Sequence, residues 1–421
     1  MIELKKLNNG IVVALEEIAY VRSISFGIWV KNGSRNETPE ENGVSHYIEH
    51  MMFKGTEKRT AKDIAEEMDA VGGQINAYTT KEYTCYHTRV LDEHFDRGLD
   101  VMEDMVLHSA FLQKEVDKER NVITEEIYMY EDAPEELVHD ALQDAIWSDS
   151  SLGMPILGTE ETIGNLTAEH IKAYYEANYH TENMVLSVAG NFKTDEMMEK
   201  LNRKLGSFHR NQPYKPYETK AEYKVSHVVR EKDVEQVHTV LAFPCFGRNH
   251  KDKYALAVFN TMFGGGMSSR LFQKVREEEG LTYSIYSYTT AFDDTGLFSI
   301  YAGMNPNQLE RVFALVKAEI EEVKAHVLSE KWIAVTKEQM ISNFIIGTES
   351  TLNRMNSAGA ALLLRGSVDE TEEVIAKLSV VTGDDILRVA NTIFDMTQIS
   401  WCAVGNVKNL DVDGIANKIF S

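Results

Sequence analysis

The chain has 421 residues, 43% of them hydrophobic and 26% charged. At roughly 100 to 200 residues per domain, that length and composition suit two or more globular domains rather than a disordered or fibrous chain. Its 43 Lys and Arg against 66 Asp and Glu leave a formal net charge of −23, which disfavours nucleic acid and anionic membranes as partners.

The opening "MIELKKLNNGIVVALEE" holds no apolar run fit for a signal sequence, and no stretch reaches the ~18 apolar residues of a membrane span. A cytoplasmic location is expected. Cys85, Cys245 and Cys402 are widely separated and form no CxxC pair, arguing against both a disulfide framework and a thiolate zinc site.

In chain order, "RSISFGIWV" (Arg22 to Val30) reads as an alternating strand. Next comes "HYIEHMMFKGT", with His46, Glu49 and His50. If Val44 to Phe53 is helical, these three share one face, because residues three and four apart sit on adjacent turns. Phe53 extends that face by one turn, and either lines a substrate pocket or packs the core. "TAKDIAEEMDAVGG" (Thr60 to Gly73) predicts an amphipathic helix with a Thr60/Asp63 capping signal, an apolar stripe of Ile64, Met68 and Val71, and a glycine stop. "QINAYTTKEYTCYHTRV" (Gln74 to Val90) predicts a β-hairpin. Asn76 and Ala77 lie on its first strand, whose edge suits main-chain pairing with an extended peptide.

In "LQKEVDKERNVITEEIYMY" (Leu112 to Tyr130), Leu112, Val116, Glu119, Ile123, Glu126 and Tyr130 follow a four-three-four-three-four spacing. This is the inner stripe of a helix, and two of its members are carboxylates. Glutamates are rarely buried unless paired or bound to a metal, and a catalytic zinc needs a third protein ligand beyond a histidine pair. The competing reading is a solvated helix whose inner face uses Val122 and Ile127.

Two segments recur about half a chain apart. Tyr-Thr-Thr begins at Tyr78 and again at Tyr288, and "MVLSVAGNF" (Met184 to Phe192) is echoed by "ISWCAVGNV" (Ile399 to Val407). Matches in the same order at nearly the same offset predict a duplicated domain. The paired prolines Pro213 and Pro216 mark residues 211–220 as a linker between a first domain, 1–210, and a second, 221–421. The expected fold class is α+β: two similar domains, each an antiparallel β-sheet packed with helices.

Taken together, His46-Tyr-Ile-Glu49-His50 followed 76 residues later by Glu126 resembles the inverted zinc motif of the insulinase, or pitrilysin, family of metallopeptidases. The short branch that includes mitochondrial processing peptidase and its bacterial relatives is the nearest in pattern. "NGSRNETPEENGVSHYIEHMMFKGT", "GGQINAYT", "ERNVITEEI", "PILGTEETI" and "SSRLFQKVREEEGLTYSI" extend the likeness over most of the chain. The resemblance implies one Zn²⁺ per chain held by His46, His50 and Glu126, a catalytic base Glu49, and a supporting carboxylate Glu119. It also implies that Arg276 and Tyr283 bind the substrate carbonyl, and that "FGGGMSSR" (Phe263 to Arg270) is a flexible glycine-rich segment facing a substrate chamber. Sliding the motif by 210 positions meets Leu256, Phe259 and Asn260, so the second half is expected to be metal-free and to serve substrate binding. The implied activity is endopeptidase cleavage of peptides or unfolded segments, with a homodimer enclosing a chamber. The alternatives are a non-catalytic scaffold or partner subunit of the same fold, and a structural metal protein, which would more often use four protein ligands.

Overall fold

The run Ser23–Val30 shows how the sequence builds this molecule. Its even members Ile24, Phe26, Ile28 and Val30 are buried in one apolar core, while Trp29, on the opposite face, is equally buried in another. Alternation would suit a strand with one wet face; here both faces are covered. The structure is a computed structural model that describes residues 1–210, 217 and 220–421, so the expected linker falls almost entirely outside the described residues.

The chain forms two compact units, each assembled from three segments. The first comprises Met1–Ile127, Met154–Glu218 and Ile345–Glu370; the second comprises Tyr128–Gly153, Thr219–Phe344 and Thr371–Ser421. Relative to a single division near residue 210, one helical segment of each half packs with the sheet of the other.

In the first unit the strands are β1 (Glu3–Lys6), β2 (Val12–Glu17), β3 (Ser23–Val30), β4 (Gln74–Thr79), β5 (Thr84–Leu91) and β6 (Met184–Gly190). They form one sheet in the order β1-β2-β6-β3-β5-β4, with β4 at an edge. Helices including Val44–Met52, Ala61–Asp69, Phe95–His108 and Ala168–Asn178 cover one face and share its core. The Thr60/Asp63 capping box forms as its residues predict, and Ile64 and Met68 are buried. The other face is closed by the helix Thr351–Arg365, which contributes Met355, Ala358, Leu362 and Leu363. Trp29 fits there because Gly27 and Gly359 leave it room: a Cβ on either would lie about 2.4–2.5 Å from its ring.

In the second unit, β7 (His227–Glu231), β8 (Val237–Cys245), β9 (Thr282–Ala291), β10 (Gly296–Met304) and β11 (Ser400–Gly405) form a sheet ordered β7-β11-β8-β10-β9. Apart from β1, this is the first sheet repeated. β6 and β11 carry the two Gly-Asn runs, and β4 and β9 are the edge strands that carry the two Tyr-Thr repeats. The helix Pro134–Ile146 closes one face here through Leu137, Val138, Ala141 and Leu142. Each sheet is antiparallel except for one parallel pair, β2 with β6 and β7 with β11. The fold is therefore α+β and duplicated, with mixed sheets rather than purely antiparallel ones.

Candidate metal centre

The motif segment is helical over Val44–Met52. Val44, Tyr47, Ile48, Met51 and Met52 form its buried face, leaving His46, Glu49 and His50 together on another. The helix starts at Gly43, whose φ of +93° favours glycine; a Cβ there would also meet Ile163 and the Leu157 carbonyl within 2.7 Å.

Glycine offers no side chain to cap the helix, and Glu37 takes that role from outside. Its Oε2 accepts from the Gly43 amide at 2.8 Å and Asn42 Nδ2 at 3.1 Å, and its Oε1 accepts from the Ser45 amide at 2.8 Å. A carboxylate suits the positive end of a helix dipole. Burial nevertheless pushes the Glu37 carboxyl up to about 7, against the lowering effect of those donors.

The second carrier is the helix Gln113–Glu131, where Val116, Glu119 and Ile123 are buried as the stripe predicts. Of the competing face, Val122 is 50% exposed while Ile127 packs partly against the core, so the inner face follows Val116, Glu119 and Ile123; the stripe's ends, Leu112 and Tyr130, lie in the open. Tyr47 joins the two helices by donating its hydroxyl to the Val116 carbonyl at 2.5 Å.

The result is a convergence of three donor atoms. His46 Nε2 lies 3.8 Å and His50 Nε2 3.6 Å from Glu126 Oε2, and the three ligand atoms all fall within 4.8 Å of one another. Zinc–nitrogen bonds of about 2.0–2.1 Å in a tetrahedron separate neighbouring ligand atoms by roughly 3.3 Å, so the separations of 3.6 and 3.8 Å here are a little wider than a bound zinc ion would set. Burial, aided by the neighbouring His50, holds the His46 imidazole down to about 3 and hence neutral, the form that binds metal. Among the described residues this is the only such group of three or more metal-ligating side chains.

Glu119 is 4% exposed. Its Oε1 lies 3.0 Å from His50 Nδ1, which fixes that ring with Nε2 toward the cluster, and its Oε2 lies 2.7 Å from Lys54 Nζ. Burial alone would raise the Glu119 carboxyl, but His50 and Lys54 together hold it below the ordinary range. Glu49 stands beside the ligands without joining them. Burial raises its carboxyl, partly opposed by the hydroxyl of Thr79, which donates to Oε2 at 2.5 Å.

The other expected residues are placed as follows. Phe53 caps the motif helix and packs against the first core, the structural alternative for that residue. Asn76 is exposed on edge strand β4, and its Oδ1 accepts from the Ala77 amide at 2.9 Å. In the second unit, the Arg276 guanidinium lies 4.5 Å over the Phe272 ring and 5.1 Å over the Tyr283 ring. Tyr283 is 77% exposed and so takes no part in core packing. On the helix Lys253–Phe263, Leu256 and Phe259 are buried and Asn260 accepts from the Ser287 hydroxyl, leaving no metal-ligating side chain opposite the motif. Of the glycine-rich segment, Gly264 caps this helix, Gly265 and Gly266 follow it in a turn, and Met267 is 76% exposed.

Sequence reasoning missed Glu37, Lys54 and Thr79. Each acts on a partner set by another element or a non-periodic turn, so no spacing rule marks it.

A partly buried two-histidine, one-glutamate cluster with a further glutamate beside it, on one unit of a duplicated α+β fold, is the architecture of an inverted-motif metallopeptidase. Residues 12–160 match Insulinase (Peptidase family M16), and residues 165–340 match the Peptidase M16 inactive domain. An uncharacterized zinc protease of Bacillus subtilis is 41% identical over 94% of this chain and 96% of its own length. One of Streptomyces coelicolor is 40% identical over 92% and 86%. The chain belongs to the insulinase family, peptidase family M16. A protease from Helicobacter pylori has the same fold, with a TM-score of 0.90 and 22% identity over 96% of this chain and 99% of that one.

Proposed function

We propose that this chain is a zinc-dependent endopeptidase that hydrolyses peptides or unfolded polypeptide segments in the manner of mitochondrial processing peptidase. The observation that carries this reading is Glu49: a carboxylate with a raised pKa next to three converging ligands, yet not one of them. A structural site has no use for such a spare base.

His46, His50 and Glu126 would hold one Zn²⁺ per chain. Zinc bound there would act as a Lewis acid, lowering the pKa of water to about 7 and polarising a carbonyl. Glu49 takes the proton of the attacking water and returns it to the leaving amine, a transfer suited to a carboxyl whose pKa burial has moved toward neutrality. Glu119 keeps the His50 ring oriented. The edge strand β4, where Asn76 is exposed and Ala77 buried, offers main-chain groups to an extended substrate, which gives affinity without strict sequence preference. Arg276 and Tyr283 supply donors for the substrate carbonyl. A homodimer enclosing a chamber, in the cytoplasm, completes the reading; no helix among the described residues is long and apolar enough to cross a membrane.

The test is zinc content together with cleavage of a quenched-peptide library by the purified protein. About one zinc per chain with cleavage lost on chelation supports the reading; metal without any cleavage supports a scaffold instead.

A further inference from the structure

The hairpin of β4 and β5 ends on a tightly held turn. Thr79 pairs with Thr84, and Thr80 closes the turn by donating its amide to the Tyr83 carbonyl at 2.8 Å. The turn is tied down from outside as well. The Ser34 and Arg35 amides donate to the Thr80 and Lys81 carbonyls, Arg35 forms a buried ion pair with Glu82 at 2.9 Å, and Lys81 reaches the Met154 carbonyl. Gly33 permits this approach, since a Cβ there would lie 2.3 Å from the Thr80 carbonyl oxygen. Thr79 is thus the last residue of the edge strand and sits on a backbone that cannot shift freely.

A threonine hydroxyl has one proton to donate. That of Thr79 goes to Glu49 Oε2 at 2.5 Å, a charge-assisted bond of the stronger kind. The motif helix fixes the Glu49 backbone but not the torsions of its side chain; among the described contacts Thr79 is the one residue that bonds this carboxylate, through its hydroxyl and also through its backbone.

We propose that Thr79 is a positioning residue for Glu49, holding one carboxylate oxygen so that the other faces the attacking water, and tying the base to the strand on which substrate pairs. This rests on the endopeptidase reading. Thr79 contributes geometry rather than a proton, because Glu49 remains the group that exchanges protons with water.

The test compares full-length Thr79→Val, which removes the hydroxyl at nearly constant shape, with Thr79→Ser, which keeps it. Thr79→Val is expected to lower kcat at least tenfold, equivalent to about 1.4 kcal/mol, with KM within twofold and zinc affinity, read by chelator competition, unchanged. Thr79→Ser is expected to recover kcat to within threefold of wild type. A crystal structure of metal-free Thr79→Val should show the Glu49 carboxylate turned from its present orientation, a readout independent of activity. The proposal is overturned by a valine variant within threefold of wild-type kcat, by a serine variant as impaired as valine, or by an unmoved Glu49. Absence of hydrolysis by zinc-loaded wild type would remove the endopeptidase reading, while the crystallographic comparison would still decide the role of Thr79.

Discussion

At the scale of single residues, the proposed function separates three candidate ligands from a fourth group, Glu49, proposed as the base. Replacing Glu49 with Gln removes the proposed proton acceptor and leaves the three converging atoms in place. The expected outcome is about one zinc per chain by elemental analysis and loss of nearly all peptide cleavage; loss of the metal would mean Glu49 is a ligand. Glu37 offers a second test at this scale, through pH. Folding raises its carboxyl from 4.5 to about 7, because burial penalises the charge more than its three donors reward it. The protonated form is therefore the one folding favours. Its contribution is complete below pH 4.5, declines as pH rises and is gone above about 7, an effect of at most about 3 kcal/mol. Urea midpoints of wild type and Glu37→Gln, measured from pH 5 to 8, should show wild type losing stability relative to the variant as pH rises. Parallel curves would show that Glu37 does not titrate in this window.

At the scale of elements, the site depends on the register between the motif helix and Gln113–Glu131. The inner stripe puts Glu119 and Glu126 toward His50, whereas Glu125 is rotated by one step of ~100°. Glu126→Gln should weaken zinc binding, as should His46→Ala or His50→Ala, while Glu125→Gln should leave it within about twofold, measured by chelator competition. Equal damage from Glu125→Gln would contradict the register. The bond from Tyr47 to the Val116 carbonyl holds the two helices in that register. Its removal in Tyr47→Phe should cost about 1 kcal/mol of stability and weaken zinc binding severalfold; unchanged zinc affinity would show that packing alone sets the spacing. Much of this scale was legible beforehand. Both helices, the capping box at Thr60 and the hairpin at Gln74 follow from periodicity and cap chemistry, which act within a few residues. The burial of both faces of β3 was not, because its cover, the helix Thr351–Arg365, lies more than 300 residues away in the chain.

At the scale of the whole molecule, the exchange of helical segments changes what a fragment can do. Residues 1–210 alone lack the helix Thr351–Arg365, so Trp29 and its neighbours would face water. Each buried Met or Leu this helix contributes is worth about 1.5–3 kcal/mol. The expected outcome is that 1–210 shows no cooperative thermal melt and no peptidase activity. A cooperatively folded, active fragment would show that the second half is dispensable. In the intact chain, Arg276→Ala or Tyr283→Phe should lower peptide turnover at least tenfold, about 1.4 kcal/mol, at unchanged zinc content. Turnover equal to wild type would remove this pair from substrate binding.

The sequence by itself determined the duplication, the α+β class and the three residues that converge at the candidate metal site. Repeats, periodic stripes and the His-x-x-Glu-His spacing are local patterns, and a helix turns them into geometry by a fixed rotation per residue. Only the tertiary structure decided which groups support the centre from outside: Glu37 at the helix start, Lys54 on Glu119, and Thr79 on Glu49. It likewise decided that each sheet is covered by a helix from a distant segment. These are contacts between elements, and their partners are chosen by which apolar faces must be buried together. No spacing along the chain encodes that choice.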